Sequence, residues 1–381
     1  MKRTLYPFLT ALLLLGGCSR PTRINLCYEG LSSDTIYLSV APIDEQSGQV
    51  TDTLVLTNGK TRYWLDNETP ASIWVMPRDF LFDERIEGGV RTLRNGGGFA
   101  ELYLNAGEQT TLKAQSHGTH ITGEIEGSTL NREVMALRNQ LNPMLGELFT
   151  AAQNGDYATA MQIGPKLTAQ CMEYVEANPT KESAVYALMQ LDEASLAEAI
   201  ERVDMSVFAG IFNPLQDGLS RLAEGQKIKI NAQQTIVEGA TAPDFTLSDA
   251  NGNPRSLSTL RGKWLVLDFW GSWCGTRRGG HAGGRHPAMK EIYANHNDQM
   301  EIIGIACNDT EQSWREAIEQ HQLPWLQLFN PSDLQPSKSP LYLYGVQGFP
   351  TKIILTPEGR IHKIFVGESE DFYREIERVM K

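Results

Sequence analysis

A cysteine at the end of an apolar stretch is the residue of this chain best placed to do chemistry. Cys274 follows the apolar stretch 265–270 and Trp273. An apolar run of this length bounded by turn residues predicts a buried strand, and a cysteine just beyond it stands where a helix begins. Backbone N–H groups and the positive end of the helix dipole stabilise a thiolate there. The sequence therefore predicts a nucleophilic thiol at Cys274.

An acid within the same strand supplies a candidate proton-transfer group. Asp268 lies between apolar neighbours, six residues before Cys274. Burial without a partner would raise its pKa toward neutrality and suit the carboxyl to general acid and base catalysis. The alternative is an outward-facing aspartate on an edge strand, and the apolar flanks favour the buried position. Arg277 and Arg278 add positive charge one turn beyond the cysteine, which favours its ionisation.

The segment 268–275, Asp-Phe-Trp-Gly-Ser-Trp-Cys-Gly, resembles the active-site segment of the thioredoxin superfamily, in particular the TlpA/ResA-type thiol-disulfide oxidoreductases. Three further blocks match in order, at 242–247, 262–263 and 344–351. The resemblance covers roughly residues 239–381. It implies an α/β thioredoxin-like domain that exchanges thiols and disulfides without a cofactor or metal.

The resemblance also implies roles for individual residues. Cys274 takes the position of the attacking thiol, Asp268 that of the buried acid, and Pro350 that of a cis-proline facing the thiol. The residues expected to bind a substrate peptide are Trp273, Phe349, Pro350 and Thr351. One feature departs from the family, which pairs two cysteines as C-x-x-C, because the second position here is Arg277.

The segment 275–286 contains five glycines and no apolar period, where the family begins a helix. A glycine-rich anion-binding loop is one explanation. A metal site formed by Cys274, His281 and His286 is a second, and a pair of compensating reading-frame errors is a third.

Cys307 is a candidate for a displaced resolving thiol. It follows the predicted strand 302–306, and parallel strands of a thioredoxin sheet end on the same edge. A disulfide requires Cα atoms within about 7 Å. The alternative is a buried cysteine at a strand end.

The amino terminus predicts export and tethering to a membrane. Two basic residues precede an apolar segment at 5–15, and Leu15-Gly16-Gly17-Cys18 resembles a bacterial lipobox. We expect a signal peptide over 1–17 and lipid on Cys18, with an ordinary secretory signal as the alternative. Ser19 resembles the residue of lipoproteins directed to the outer membrane, so we expect a periplasm-facing protein of the bacterial envelope.

Length, composition and charge limit the remaining possibilities. The chain has 381 residues and a formal net charge of −12, and 41% of its residues are hydrophobic. Two or three domains are expected at this length. An acidic chain without a basic stripe is unsuited to nucleic acid, and no stretch after the signal is long and apolar enough to span a bilayer.

Periodicity divides the mature chain into four parts. Alternating apolar residues and turn-rich breaks over 18–126 predict an antiparallel β-sandwich-like domain, which resembles the β domain that often precedes TlpA-like domains. A period of three to four residues over 127–225 predicts a helical spacer, bent or interrupted at Pro143. We expect a β-prone linker at 226–238 and the thioredoxin-like domain at 239–381.

Turn and period signals predict the elements within this last domain. A turn at 251–254 predicts a hairpin, and a helix is expected at 311–321. The alternating stretches 352–355 and 361–366 predict a strand pair, and 372–380 predicts a closing helix. The order βαβ and then ββα is that of a thioredoxin fold.

Three functions are consistent with these features. The first is an exported, membrane-tethered oxidoreductase acting on protein disulfides, limited to monothiol chemistry or impaired, with exported protein thiols and a membrane electron donor as partners. The second is a non-catalytic thioredoxin-fold module that binds another exported protein. The third is a peroxidase, although related peroxiredoxins carry Thr or Ser three residues before the attacking cysteine and this chain carries Gly271.

Overall fold

The computed structural model describes residues 21–43, 50–86, 89–273 and 286–381. Contacts among these residues divide the chain into two compact units. The N-terminal unit extends to Asp192 and includes Glu201–Gln216. The C-terminal unit consists of Glu193–Ile200 and Asp217–Lys381.

The N-terminal unit contains two four-stranded sheets and a separate hairpin. Its strands are β1 (Thr22–Glu29), β2 (Thr35–Pro42), β3 (Val50–Val55), β4 (Lys60–Leu65), β5 (Ala71–Pro77), β6 (Leu81–Ile86), β7 (Gly89–Arg94), β8 (Ala100–Leu104), β9 (Gln109–Ser116) and β10 (Ile121–Glu126). The sheet orders are β10-β9-β1-β4 and β3-β2-β5-β8, with β6 and β7 forming the hairpin. Apolar side chains from both sheets meet in one core, which makes this part of the chain a β-sandwich.

The prediction of a purely antiparallel sandwich is wrong at one pairing. β1 and β9 run parallel, with Arg23 opposite Gln109 and Glu29 opposite Gln115. Parallel neighbours need a long connection, and here most of the sandwich separates the two strands along the chain. Alternation along each strand specifies which face is buried but carries no information on the direction of a distant partner.

Helices α1 (Thr129–Gln153), α2 (Tyr157–Ala177) and α3 (Ser183–Met189) belong to the same compact unit as the sandwich. The expected interruption at Pro143 does not occur, because α1 continues through it. Two asparagines of α1 bond to the outer strands of the two sheets. Asn131 pairs with both the N–H and the carbonyl of Tyr103, and Asn139 does the same with Gly123. Helix α1 therefore covers sheet edges that would otherwise expose unpaired backbone groups.

The prediction of a β-prone linker at 226–238 is wrong over most of its length. After α4 (Glu193–Ala199), helix α5 runs from Gln216 to Thr235. Ala232 of α5 contributes to a core of the C-terminal unit, and a side chain at Gly225 would collide with the ring of Tyr342. Residues 226–235 therefore belong to a helix that packs on the C-terminal unit.

The C-terminal unit is built on one mixed sheet. Its strands are β11 (Thr246–Asp249), β12 (Pro254–Ser256), β13 (Trp264–Trp270), β14 (Met300–Ala306), β15 (Leu326–Phe329), β16 (Thr351–Leu355) and β17 (Ile361–Val366). Its further helices are α6 (His286–His296), α7 (Glu311–His321), α8 (Pro340–Leu343) and α9 (Glu370–Val379). The sheet order is β12-β11-β15-β14-β13-β16-β17, and β13 is parallel to β14 and antiparallel to β16.

The predicted βαβ and ββα order is confirmed, and the C-terminal unit has a thioredoxin-like fold. β13 lies inside the sheet and is buried on both faces. One apolar layer includes Leu267 and Phe269, and the other includes Val266 and Trp270. Strand β15 was not predicted, and its short sequence stands directly after Pro324-Trp325.

Along the described ranges, no helix combines the length and apolar character needed to cross a bilayer.

Candidate active site

Asp268 is a buried acid in the middle of the sheet. Its exposed fraction is 4%, and β14 and β16 pair with its strand on either side. The edge-strand alternative is therefore wrong. Asp268 projects from the same face of β13 as Val266 and Trp270, whose side chains contribute to one apolar layer of the unit.

The carboxyl of Asp268 has a cationic partner, contrary to the expectation of burial without one. Lys352 stands directly opposite Asp268 in the antiparallel β13–β16 pair. Its Nζ lies 3.5 Å from Asp268 Oδ1, and both side chains are almost fully buried. The sequence does carry a signal for this residue, because Lys352 is a charged position within the apolar run Thr351–Leu355.

A second carboxylate contacts the same ammonium. Glu368 Oε1 lies 3.3 Å from Lys352 Nζ, and 36% of the Glu368 side chain is exposed. Burial raises the pKa of Asp268 above its ordinary range, the positive charge of Lys352 lowers it, and the negative charge of Glu368 raises it again. Burial has the largest effect, so the Asp268 carboxyl is suited to hold a proton at a higher pH than an exposed aspartate.

On the other side of Asp268, the sheet leaves space for an amide. Gly304 of β14 stands beside Asp268, and Gln327 of β15 stands beside Gly304. A Cβ on Gly304 would lie 2.3 Å from Gln327 Oε1, so the glycine accommodates the amide. Gln327 is 4% exposed, and its amide has no hydrogen-bond partner among the described residues. Asp268 therefore lies between a buried cation and a buried neutral amide.

Trp273, the last described residue before Cys274, lies against the loop that contains Pro350. Its indole meets the ring of Phe349 edge to face, with centroids 5.2 Å apart. Its exposed fraction is 36%, so part of the residue is accessible among the described residues. The indole also fills the space above Gly271, where an added Cβ would lie 2.4 Å from Trp273 Nε1. A hydroxyl side chain at position 271, as the peroxidase hypothesis requires, has no room in this arrangement.

Asp309, which the sequence analysis did not identify, holds the backbone just before Cys274. Ser272 donates its N–H to Asp309 Oδ2 at 2.6 Å and its hydroxyl to Asp309 Oδ1 at 2.8 Å. Trp273 Nε1 donates to the carbonyl of Asn308 at 3.0 Å. Asn308 has a φ of 53°, a left-handed conformation that asparagine tolerates better than most residues. The turn after β14 therefore positions the residues that lead into Cys274.

Replacing Asp309 with alanine is expected to free the Ser272 backbone. Hydrogen bonds to a charged group contribute about 1.5–3 kcal/mol, so exchange of the Ser272 amide should accelerate by about 10- to 100-fold. Hydrogen-exchange mass spectrometry of the peptide containing Ser272 measures this. The matched control is Asp309→Asn, whose amide oxygen still accepts, and it should retain most of the protection. Equal exchange in Asp309→Ala and the unaltered protein would contradict the positioning role.

The loop containing Pro350 leads directly into the first residue of β16. The Phe349–Pro350 peptide bond is cis, as predicted. Gly367 donates its N–H to the carbonyl of Pro350 at 2.8 Å. Thr351, expected to contact substrate, is 3% exposed, and its hydroxyl donates to the carbonyl of Gly348 at 2.7 Å. The Thr351 side chain therefore stabilises the loop from within, and Trp273 and Phe349 supply the accessible aromatic surface.

Several sequence-predicted residues lie outside the described part of the chain. These are Cys18, Cys274, Arg277, Arg278 and His281. The metal hypothesis depends on two of them together with the His286 side chain, which is likewise not described. No group of metal-ligating side chains occurs among the residues that the structure does describe.

Cys307 directly follows β14 and is buried, as the alternative of a buried cysteine at a strand end predicts. Its exposed fraction is zero, and its N–H donates to the carbonyl of Trp270 at 2.9 Å. Its side chain contributes to the core that contains Leu267 and Phe269, on the face of the sheet opposite to Asp268. Whether Cys307 approaches Cys274 stays a prediction, because Cys274 lies outside the described ranges.

Comparison with known proteins gives matches in the C-terminal part of the chain. Residues 239–364 match the model of the AhpC/TSA family. Thiol-disulfide oxidoreductase ResA of Bacillus subtilis is 29% identical over 136 residues, which cover 35% of this chain and 70% of ResA. Thioredoxin-like protein YneN of the same organism is 28% identical over 135 residues, which cover 35% of this chain and 73% of YneN.

Solved structures are similar over the same part. The thioredoxin domain of a thiol-disulfide oxidoreductase from Bacteroides vulgatus is 28% identical, with a TM-score of 0.34, and the match covers 38% of this chain and 99% of that one. A thiol:disulfide interchange protein from Bacteroides sp. is 29% identical, with a TM-score of 0.34, and the match covers 38% and 91% of the two chains. The predicted similarity to ResA-type proteins is confirmed for the thioredoxin-like domain.

Proposed function

We propose that this protein is an exported thiol-disulfide oxidoreductase that acts on disulfides of other exported proteins through the thiol of Cys274. The observation that carries the proposal is the buried Asp268 carboxyl on the strand that leads to Cys274. ResA-type relatives, which carry the name thiol-disulfide oxidoreductase, support the same reaction class.

The proposed reaction starts with attack of the Cys274 thiolate on one sulfur of a partner disulfide. A bond forms between Cys274 Sγ and that sulfur, the partner's S–S bond breaks, and the second sulfur leaves as a thiolate that takes a proton. Asp268 is the proposed proton donor and acceptor of the site. Trp273 and Phe349 offer an aromatic surface on which the partner peptide lies.

Arg277 at the second C-x-x-C position limits how the cycle closes. The family's second thiol would attack the mixed disulfide from within, and Arg277 has no sulfur with which to do so. We therefore propose monothiol turnover, in which an external thiolate attacks the Cys274 sulfur of the mixed disulfide. This attack joins the external sulfur to Cys274 Sγ and releases the partner's sulfur as a thiolate. A second external thiolate then attacks the external sulfur, which restores the Cys274 thiolate and leaves the two external thiols joined as a disulfide.

The proposed location rests on the amino-terminal sequence. A signal peptide over 1–17 and lipid on Cys18 would tether the protein on the periplasmic side of the envelope, and Ser19 favours the outer membrane. In that compartment, protein disulfides form and persist, so substrates of the proposed class are present. An electron donor in the membrane remains part of the proposal as the source of the external thiol.

Alkylation of Cys274 by iodoacetamide tests the proposal. We expect Cys274 to react at pH 6, because the sequence predicts a helix start and two arginines next to it, and a thiolate in such surroundings forms well below the usual cysteine pKa of about 8.5. Peptide mass spectrometry distinguishes the alkylation rate of Cys274 from that of Cys171. Burial raises the pKa of Cys171 to about 11, so this thiol should react slowly. Incubation with a disulfide-containing peptide should give a mixed disulfide in the unaltered protein and none in Cys274→Ser. Reactivity that rises only near pH 8.5, without a mixed disulfide, would refute the proposal.

A non-catalytic binding module is the second candidate, and the substitution at Arg277 favours it. In this case the Trp273 and Phe349 surface would bind a partner without chemistry at sulfur. Cys274→Ala would then retain the partner, and reductase activity would be absent from the unaltered protein. Trp273→Ala, which removes the aromatic surface, would abolish binding under either candidate, so the two cysteine outcomes decide between them.

A further inference from the structure

The ammonium of Lys352 lies between two carboxylates that differ in their exposure to water. On one side is Asp268, 3.5 Å away and almost fully buried. On the other is Glu368, 3.3 Å away, with 36% of its side chain exposed. The three groups form a short chain of charges from the interior of the sheet to the surface. We call this chain the Asp268–Lys352–Glu368 triad.

The triad contains one cation and two acids, so its charges do not balance when both acids are ionised. The Lys352 side chain is 4% exposed, and its Nζ lies over the ring of Phe372, 5.7 Å from the ring centroid. A charge in such surroundings interacts more strongly with its neighbours than it would in water. Ionised Asp268 loses its hydration, whereas Glu368 keeps part of its own. The state with the smallest desolvation cost holds a proton on Asp268 and leaves Lys352 paired with Glu368.

The elements packed around Asp268 bring no further charge to it among the described residues. The neighbouring position on β14 is Gly304, which has no side chain, and the next one on β15 is the neutral Gln327. Lys352 comes from β16, and Glu368 precedes α9, which contributes the uncharged ring of Phe372. Lys352 and Glu368 are therefore the charged groups that face Asp268 in this part of the structure.

We propose that Glu368 controls the charge state of Asp268 by competing with it for Lys352. When Glu368 is ionised, it holds the ammonium and Asp268 keeps its proton. When Glu368 loses its charge, Lys352 pairs with Asp268 and stabilises the buried carboxylate. Glu368 is thus a positioning residue that acts through Lys352. We call this competition of two carboxylates for one ammonium the charge device.

The location of Glu368 connects this device to the candidate peptide site. Glu368 directly follows Gly367, which donates its N–H to the carbonyl of Pro350. A basic group of a peptide bound along the Pro350 loop would lie close to the exposed Glu368 carboxylate and compete with Lys352 for it. This last step rests on the proposed function, whereas the competition for Lys352 concerns the unliganded protein and does not.

The test measures the protonation of Asp268 directly, without thiol chemistry. Infrared difference spectra of the full chain, recorded across pH, report the stretch of the protonated buried carboxyl, and Asp268→Asn identifies the band. We expect Glu368→Gln to move its midpoint to lower pH. The matched control is Glu377→Gln, which removes the same charge from an exposed position of α9 and should leave the midpoint in place. An unchanged midpoint in Glu368→Gln, or a shift to higher pH, would overturn the proposal.

A double-mutant cycle shows whether Glu368 acts through the lysine. We expect Lys352→Met to move the Asp268 midpoint to higher pH, and Glu368→Gln to have a smaller effect in that background than alone. Equal shifts in the two backgrounds would overturn the competition. If Lys352→Met does not fold, Lys352→Gln removes the same charge with a polar side chain, and Glu368→Gln should again shift the Asp268 midpoint less in that background than alone.

Two independent readouts separate failure of this inference from failure of the proposed function. A midpoint shift in Glu368→Gln combined with an inert Cys274 supports the charge device and rejects the oxidoreductase. A reactive Cys274 whose pH profile is the same in Glu368→Gln, combined with an unmoved midpoint, retains the oxidoreductase and rejects the device.

Discussion

Replacing Arg138 with leucine should lower the free energy of unfolding of the N-terminal unit by about 3–5 kcal/mol, because it breaks a buried ion pair from one side. Arg138 of α1 is 4% exposed. Its Nη1 donates to Glu101 Oε1 at 2.9 Å and to the Tyr186 hydroxyl at 2.8 Å. Its remaining donors reach the carbonyls of Phe99 and Gly96. Leucine leaves the Glu101 carboxylate buried without a cation and two carbonyls without a donor.

Hydrogen exchange of α1 and β8 amides in increasing denaturant measures this effect for the N-terminal unit on its own. Arg132→Leu is the matched control, since Arg132 lies on the same helix with its side chain exposed. We expect it to cost at most about 1 kcal/mol. Adding Glu101→Leu to Arg138→Leu removes the orphaned carboxylate and should recover part of the loss. A cost of Arg138→Leu no larger than that of Arg132→Leu would show that the pair does not hold α1 on the sandwich.

Replacing Lys352 with methionine should cost the C-terminal unit about 3–5 kcal/mol at pH 8, and much less at pH 4.5. Methionine keeps most of the apolar stem and removes the cation that stabilises Asp268 once the carboxyl has lost its proton. The unfolded chain releases the Asp268 proton near its usual pKa of about 3.9, whereas burial raises that pKa in the folded protein. As pH rises above the unfolded value, the folded state holds more protons than the unfolded state, so stability falls. Without Lys352 the folded pKa rises further, and the loss continues to higher pH.

Unfolding in denaturant, monitored by hydrogen exchange of the β13 and β16 amides at pH 4.5 and pH 8, measures the loss of stability in Lys352→Met at each pH. The double variant Lys352→Met with Asp268→Asn is the control, because it has no buried acid to titrate. We expect the pH-dependent part of the loss to disappear in that variant, leaving the other carboxylates to titrate as in the unaltered protein. A loss in Lys352→Met that is equal at pH 4.5 and 8 would mean that the lysine acts through packing and not through its charge.

Most strands and helices of the C-terminal unit were predictable from local sequence patterns. The spacing of apolar and turn residues predicted β13, β14, α7 and the β16–β17 pair, since each depends on a short stretch with a clear period. The β-hairpin at β11 and β12 was likewise predicted from the turn at Asn251–Pro254. The helix α5 was misassigned because Lys227-Ile228-Lys229-Ile230 alternates as a strand would, and packing on the C-terminal unit decided in favour of a helix.

In the candidate site, too, the sequence predicted the local features and did not predict the contacts between distant elements. From the sequence alone it follows that an acid stands within a buried strand six residues before a cysteine, and that a proline follows Phe349 at a family-like position. Three contacts of the site depend on the folded chain: Lys352 faces this acid, Glu368 contacts the same lysine, and Asp309 accepts hydrogen bonds from Ser272. Each of these contacts joins residues from different elements. The periodicity of a local sequence does not specify which distant elements become neighbours in the fold. The strength of a charge depends on those neighbours and on the exclusion of water, so the chemistry available to Asp268 becomes defined only when the sheet and its helices are assembled.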